Sequence, residues 1–334
     1  MPAASANDRD RFVLARREHR PYRDPWRHQG VIVEDERTAE GRIERSATVF
    51  LTGRECPWRC VMCDLWRQTI EPDTPRGAIP TQIAAALAEL RARAESITQI
   101  KMYNAGSFFD PGAVPEDDYG AVAELLATVG RVVVESHPAL VGRRLDRFLE
   151  ALHRSGETRP ASGRLEVAMG LETVHAEALD RLNKRMTVDG FVATAAALRR
   201  RGVSVRAFLL LSPPFVPHAE QDDWLLRSID VAFSCGAAVV SLIPTRSGNG
   251  AMEVLSSEGV FQPPRLEDVE RSMASALLAE PGRGRIFVDL WDLQRLSDCT
   301  HCFDARRARL HAMNLEQRLS PRAACPRCGS GATC

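Results

Sequence analysis

Lysine is nearly missing from this chain: Lys101 and Lys184 are the only two among 44 Lys and Arg residues. With alanine abundant as well, this reads as a coding bias, so clustered arginine alone is weak evidence for a nucleic-acid surface. Net charge is also absent, because 44 Asp and Glu leave a formal +0, and no global field gathers polyanions or anionic membrane. No apolar run approaches the ~20 residues that a bilayer-spanning helix needs. The first thirty residues carry Arg9, Arg11, Arg16, Arg17, Arg20, Arg23 and Arg27 without a hydrophobic stretch. A secretory signal is therefore not expected, and the cytoplasm is the expected compartment. Internal repeats and low-complexity tracts are missing too.

What remains is an ordinary globular composition: 334 residues, 44% apolar and 26% charged. The length suits two domains or a single α/β barrel. Six short β-type runs stand at 47–52, 97–103, 132–136, 165–170, 203–211 and 237–243. Between them, 82–94, 119–129, 145–153, 191–201 and 224–234 repeat apolar residues at helical spacing. Six βα units predict a parallel sheet covered by helices, curled by right-handed crossovers into a partial (β/α)6 TIM-type barrel. A further strand is expected at 285–289, after a helix at 266–278. The expected divisions are an Arg-rich extension over 1–45, the barrel over 46–290, and a small Cys-rich metal module over 291–334. In such barrels chemistry collects at the carboxyl ends of the strands.

Nine cysteines sit at 56, 60, 63, 235, 299, 302, 325, 328 and 334. Without an export signal, such clustering favours metal ligation over disulfides. The first expected strand, ATVFLT, runs straight into GRECPWRCVMC, which places Cys56, Cys60 and Cys63 on one loop. Structural zinc wants four closed ligands, whereas three thiolates can cap three corners of a cubane [4Fe-4S] cluster and leave one iron open. A zinc knuckle or a plain electron-transfer cluster is the alternative, but Asp64 is the only other nearby ligand. Gly53 and Pro57 suit a loop that wraps back on itself.

This CxxxCxxC spacing, behind the first strand of a βα chain, resembles the radical S-adenosylmethionine (SAM) superfamily. The resemblance implies that the open iron chelates SAM through its amino and carboxylate groups. An electron from a donor such as flavodoxin or ferredoxin then cleaves the sulfonium, giving a 5′-deoxyadenosyl radical that abstracts hydrogen from substrate. It also implies SAM contacts at the other strand ends. Asn104 and Ser107, with Gly106, occupy the turn where the family usually has Gly-Gly-Glu; that wording is absent here, and a plain β-to-α turn remains the alternative. Glu135, Ser136 and His137 end the third run, and His137 reads either as a mouth residue or as a turn histidine packed on the strand.

GLET followed by LNK resembles the SAM-ribose segment of the Elongator-type branch, which makes Glu172 the catalytic and cofactor-binding candidate. Its alternative is a charge at a helix N-terminus. Arg206 lies in an apolar run and must meet either an anionic ligand, such as the SAM carboxylate, or an acidic neighbour. Pro244, with Gly248 and Gly250, would let backbone approach the adenine.

In the tail, Cys299, Cys302, Cys325 and Cys328 form two CxxC pairs around a helix-like segment, the pattern of a four-thiolate zinc site or of an auxiliary iron–sulfur cluster. Cys334 or His301 is a spare ligand, and Cys235 reads as a core thiol. Arg306, Arg307, Arg309, Arg318, Arg322 and Arg327 crowd this segment, either gripping tRNA phosphates or forming a solvated face.

The stretches ECPWRCVMCDLW, KMYNAGSFFDP, VVESHP, AMGLETVHAEALDRLNKRMT and LLLSPPF resemble the radical SAM subfamily of archaeosine biosynthesis. In that subfamily a partner enzyme attaches lysine to a deazaguanine base in tRNA, and the radical enzyme breaks the lysine carbon–nitrogen bond. A modified deazapurine in tRNA is thus the implied substrate. The alternatives are a peptide or small-metabolite substrate with an auxiliary cluster in the tail, and a non-catalytic zinc protein that binds nucleic acid.

Overall fold

The computed structural model describes residues 5–155 and 161–329. One sheet holds β1 (Gly30–Arg37), β2 (Ile43–Leu51), β3 (Gln99–Asn104), β4 (Arg131–Glu135), β5 (Leu165–Glu172), β6 (Ser204–Leu211), β7 (Val239–Pro244) and β8 (Arg285–Val288), in chain order. From β2 onward every neighbouring pair is parallel, as the βα alternation requires, and β1 pairs antiparallel to β2. The helices are α1 (Ala6–Leu14), α2 (Ala78–Ala92), α3 (Tyr119–Leu125), α4 (Arg143–Ser155), α5 (Ala161–Arg164), α6 (Ala176–Arg181), α7 (Val188–Arg200), α8 (Gln221–Ser234), α9 (Ala251–Ser257), α10 (Leu266–Ala279) and α11 (Phe303–Glu316).

Burial explains the pattern. Every residue of β5 is buried, because a parallel strand has helices on one side and the barrel interior on the other. The covering helices bury one stripe: α4 turns Leu145, Phe148 and Leu152 inward, where Phe148 meets Phe108, Phe109 and Tyr119.

Two elements differ from the sequence expectation. The Arg-rich extension contributes β1, whose sequence GVIVEDER hides its strand character because charges occupy inward positions. Its Glu36 carboxylate accepts from Lys101 Nζ at 2.5 Å and from Arg206 Nη2 at 2.6 Å. Arg206 also donates through Nε to Glu166 at 2.6 Å. Burial pushes Glu36 toward protonation, but Arg206 and Lys101 outweigh it and hold the carboxyl well below the usual range. Arg206 therefore takes the acidic-neighbour alternative. It is the third residue of β6, near the amino ends of the strands, opposite the end from which the cysteine loop leaves.

The second difference is the tail, which forms barrel wall. Helix α11 spans the gap between β1 and β8. Asn314 pairs with both backbone groups of Val288 at 2.9 Å, and Gln317 pairs with both of Ile286 at 2.7 Å. These amides occupy the free edge of β8 as a neighbouring strand would. Across the gap Arg37 donates to Leu315 O at 3.0 Å, and Arg285 donates to Arg37 O at 3.0 Å. Among the described residues no helix is long and apolar enough to cross a membrane.

Candidate active site and metal centres

The cysteine loop leaves the carboxyl end of β2 and is pinched shut at its base, where Ile70 N donates to Gly53 O at 3.0 Å and Glu55 N donates to Ile70 O at 3.2 Å. Four other segments hold it. Arg17 and Arg20 of the N-terminal arm donate to the Glu55 carboxylate, Arg17 at 2.7 Å. Asn183 donates to Arg59 O at 2.8 Å, Val61 N donates to Leu182 O at 3.0 Å, and Asn249 donates to Val61 O at 2.7 Å. Trp58 stacks on His137 with ring centroids 3.7 Å apart. Val61 packs with Val13, Leu182, Phe215 and Met252 in a second apolar cluster. Several of the N-terminal arginines thus serve as internal braces.

Burial pushes the Cys56, Cys60 and Cys63 thiols up to about 12, and Lys184 pulls Cys56 and Cys60 back toward the thiolate. The Lys184 Nζ lies 2.5 Å from Glu172 Oε1, the carboxylate at the end of β5. A register shift between Gly170 and Glu172, with Glu172 at φ +64°, turns that carboxylate into the mouth. Gly170 leaves the room for the pair, since a Cβ there would stand 2.1 Å from Glu172 Oε1 and 2.3 Å from Lys184 Nζ. Lys184 and Asn183 belong to the LNK that follows GLET, but the sequence does not show that they face Glu172 and the cysteine loop, and Asn249 does not stand out in it.

The other strand ends sort cleanly. Asn104 is buried at the end of β3, and neither atom of its amide has a hydrogen-bond partner. Ser107 Oγ accepts from His137 N at 2.9 Å and so ties the turn after β3 to the end of β4. His137 accepts from Ala139 N through Nδ1 and contacts Lys184 O through Nε2, which makes Nε2 the protonated nitrogen; burial lowers it to about 4 and it stays neutral. The packed-turn alternative for His137 therefore describes its bonding, and the stacked Trp58 adds a link to the cysteine loop. Glu135 at the end of β4 is raised to about 7, chiefly by burial and secondarily by Glu172, against the pull of Lys184. Pro244 ends β7, and the buried hydroxyl of the next residue, Thr245, has no partner. Gly250 at φ +84° lies against Arg16 O, which closes the N-terminal arm onto that loop.

Below the mouth lies a cavity of about 920 Å³. Asn104 and Glu135 line its upper part, and Lys101 and Arg206 its lower part. Five aromatic residues, Phe50, Tyr103, Phe208, Phe287 and Trp291, face it, while Asp304, Arg307 and His311 of α11 line the side toward the β1–β8 gap. Such a surface accepts a planar ring that carries polar substituents.

In the tail the sulfurs of Cys299, Cys302, Cys325 and Cys328 all lie within 4.8 Å of one another, with Cys299–Cys325 at 4.0 Å and Cys302–Cys328 at 3.7 Å. Tetrahedral arms of about 2.3 Å require sulfur edges of about 3.8 Å. The quartet therefore has single-ion spacing; the loop trio is not gathered to that spacing, which three thiolates on three different irons do not need. His301 is exposed, and Cys334 lies outside the described residues. Arg306 and Arg309 are buried and paired with Glu270, Arg306 Nη2 at 2.6 Å. Two of the six arginines read as a phosphate-gripping face are thus internal struts.

The radical SAM superfamily model matches residues 50–224. An archaeosine synthase subunit beta of Methanosarcina acetivorans is 26% identical over 249 residues, covering 71% of this chain and 68% of that protein. A protein of the same name from Thermococcus kodakarensis is 30% identical over 161 residues, 47% of each chain. Among solved structures, the Methanocaldococcus infernus Elp3 with its N-terminus deleted superposes with a TM-score of 0.52 at 12% identity, over 80% of this chain and 63% of that one. Methylornithine synthase superposes with a TM-score of 0.50 at 15% identity, over 85% and 71%. At these identities the two structures speak to the fold alone. The chain spans about half the length of the Thermococcus relative and less than two thirds of the Elp3 chain.

Proposed function

Because this chain belongs to the radical SAM superfamily, we propose that its barrel mouth cleaves SAM reductively and turns that chemistry on a modified deazapurine base in tRNA, breaking a carbon–nitrogen bond. The family is one of enzymes, which sets aside the non-catalytic alternative. The residues present fit the cofactors the family implies. Three half-buried thiols share one loop, an ammonium beside them favours the thiolate, and the orphaned Asn104 amide stands at the same end of the barrel. Cys56, Cys60 and Cys63 would hold a [4Fe-4S] cluster, and with SAM it would supply the radical that starts the reaction.

This chain's own residues bind, orient and shield. The Asn104 amide offers one donor face and one acceptor face to a polar ligand group. Glu172, held by Lys184, accepts from a ligand hydroxyl or amino group, and the Thr245 hydroxyl beside Pro244 is free to pair with a ring nitrogen. Ser107 keeps the turn after β3 in place through His137 N. Trp58 stacked on His137 screens the cysteine loop from the β4 side, and Arg206 braces the barrel floor.

The aromatic-lined cavity below Asn104 and Glu135 is the observation that carries the substrate reading, alongside the two relatives named archaeosine synthase subunit beta. Their names, subunit beta, support a partner subunit, and we take its role to be preparing the base; an electron donor such as flavodoxin or ferredoxin would serve the cluster. The tail quartet would hold Zn2+, since its sulfur spacing suits one tetrahedral ion better than an auxiliary cluster. Anaerobic reconstitution with iron, sulfide, reductant and SAM should yield 5′-deoxyadenosine. Nucleoside mass spectrometry of tRNA from a deletion strain should show loss of a deazapurine modification. An unchanged nucleoside profile overturns the tRNA substrate and leaves SAM cleavage standing.

A further inference from the structure

Both lysines of this arginine-rich chain are largely buried, each 2.5 Å from a carboxylate. Lys101 belongs to the floor network. Lys184 stands at the mouth, in a segment bonded to the cysteine loop on both sides: Leu182 O accepts from Val61 N, and Asn183 donates to Arg59 O. The backbone there is forced. Asn183 and Arg185, which flank Lys184, sit at φ +59° and +57°, and Glu172 sits at +64°. Left-handed conformations in three non-glycine residues around one ion pair are a standing cost that the surrounding structure must maintain. Gly170 leaves the gap that the pair fills, and His137 fixes the Lys184 carbonyl at 3.0 Å.

The Lys184 ammonium is a compact point charge, and it occupies the gap that Gly170 leaves beside Glu172. Electrostatic attraction from Lys184 reaches Cys60 and Cys56, and Glu172 opposes it at Cys60. In a partly desolvated site such a charge acts strongly on anything negative beside it.

We propose that Lys184, a positioning residue for Glu172, also offsets through its ammonium the negative charge of the loaded cysteine loop and thereby raises the reduction potential of the cluster held there. Glu172 sets the counterweight, so the ion pair tunes the site in both directions. This rests on the radical SAM reading of Cys56, Cys60 and Cys63. Net charge near a cluster is one of the factors that fix its potential.

The test uses the full chain, reconstituted anaerobically and titrated with dithionite in the absence of SAM at pH 8.5, with the reduced cluster followed by electron paramagnetic resonance. Lys184→Met should make the cluster at least tenfold harder to reduce, a shift of about 59 mV or more to negative potential for one electron. Glu172→Gln should shift it the opposite way. Iron and sulfide content read cluster loading independently of potential. Unchanged potentials in both variants, or shifts of the same sign, overturn the proposal. If Lys184→Met fails to fold or load, Glu172→Gln decides alone: a positive shift supports the proposal and no shift defeats it. A wild-type chain that takes up no cluster removes the underlying reading as well, and that failure shows before any variant is made.

Discussion

The two cysteine groups are built on opposite plans. At the barrel mouth, three thiols stand apart on a loop tied down by the N-terminal arm, by the 182–184 segment and by the loop after β7, beside a charged pair. In the tail, four sulfurs converge on one point between short chain segments, flanked by Arg306 and Arg309 on Glu270. A site that must accept a ligand keeps a position open and borrows its walls from distant segments. A site that only has to hold the chain together closes on itself. The tail quartet nonetheless bears on the cavity, because Cys302 is the N-cap of α11, which places Asp304, Arg307 and His311 along its edge.

The largest expected difference separates the two groups outright. Changing Cys56, Cys60 or Cys63 to Ala should abolish 5′-deoxyadenosine formation while the thermal midpoint stays near wild type. Cys299→Ala or Cys325→Ala should instead destabilise the chain by more than about 4 kcal/mol, the range reached when a metal site is lost. Chelator treatment that strips one metal per chain should reproduce the tail phenotype in a melting curve. Equal loss of SAM cleavage in folded tail variants would erase the contrast.

A smaller effect follows from Glu135. Burial raises its carboxyl from the ordinary 4.5 to about 7, so the unfolded chain ionises before the folded one does. Its contribution is full below about pH 4.5 and is lost as pH rises through about 7. Denaturant midpoints should show Glu135→Gln gaining ~1–3 kcal/mol relative to wild type above pH 7 and little below pH 4.5. The opposite slope would mean that a cation pairs with Glu135.

Gly170→Ala tests how far the mouth depends on its ion pair. The added Cβ meets only the ends of two side chains, so the fold should survive with a loss of ~1 kcal/mol, while the pair is displaced. SAM affinity, measured by calorimetry on the reconstituted protein, should fall about tenfold. The smallest effect belongs to the surface: Arg307→Ala should change stability by less than ~0.5 kcal/mol, whereas Arg309→Ala, which removes one of the two arginines on Glu270 and the bond to Ser320 O, should cost ~1–3 kcal/mol. Filter binding of tRNA distinguishes the two further, since Arg307 is exposed at the cavity edge and Arg309 is not.

Much of the barrel was legible because parallel strands buried on both faces are mostly apolar, and β4 to β7 keep runs such as VVV, FLLL and VVSLI despite the buried charges Glu166 and Arg206. Strand β1 was hidden because its Glu36 faces inward and is neutralised by Lys101 on β3 and Arg206 on β6, partners 65 and 170 residues away that no local pattern reveals. Arginine in the tail read as a surface face, and arginine in the N-terminal arm as part of an extension, for the same reason. Composition records that Arg17, Arg306 and Arg309 are cations, and only packing shows that Glu55 and Glu270 wait for them.

By itself the chain determined which thiols share a loop, which strands are buried on both faces and where the strand ends fall, because these depend on spacing over a few residues. The tertiary structure alone decided that Lys184 meets Glu172 beside Cys60, that Asn104 lacks a partner, and that a C-terminal helix seals the barrel. Those are contacts between segments far apart in sequence, and a charge or an amide gains its meaning from the group that burial brings against it.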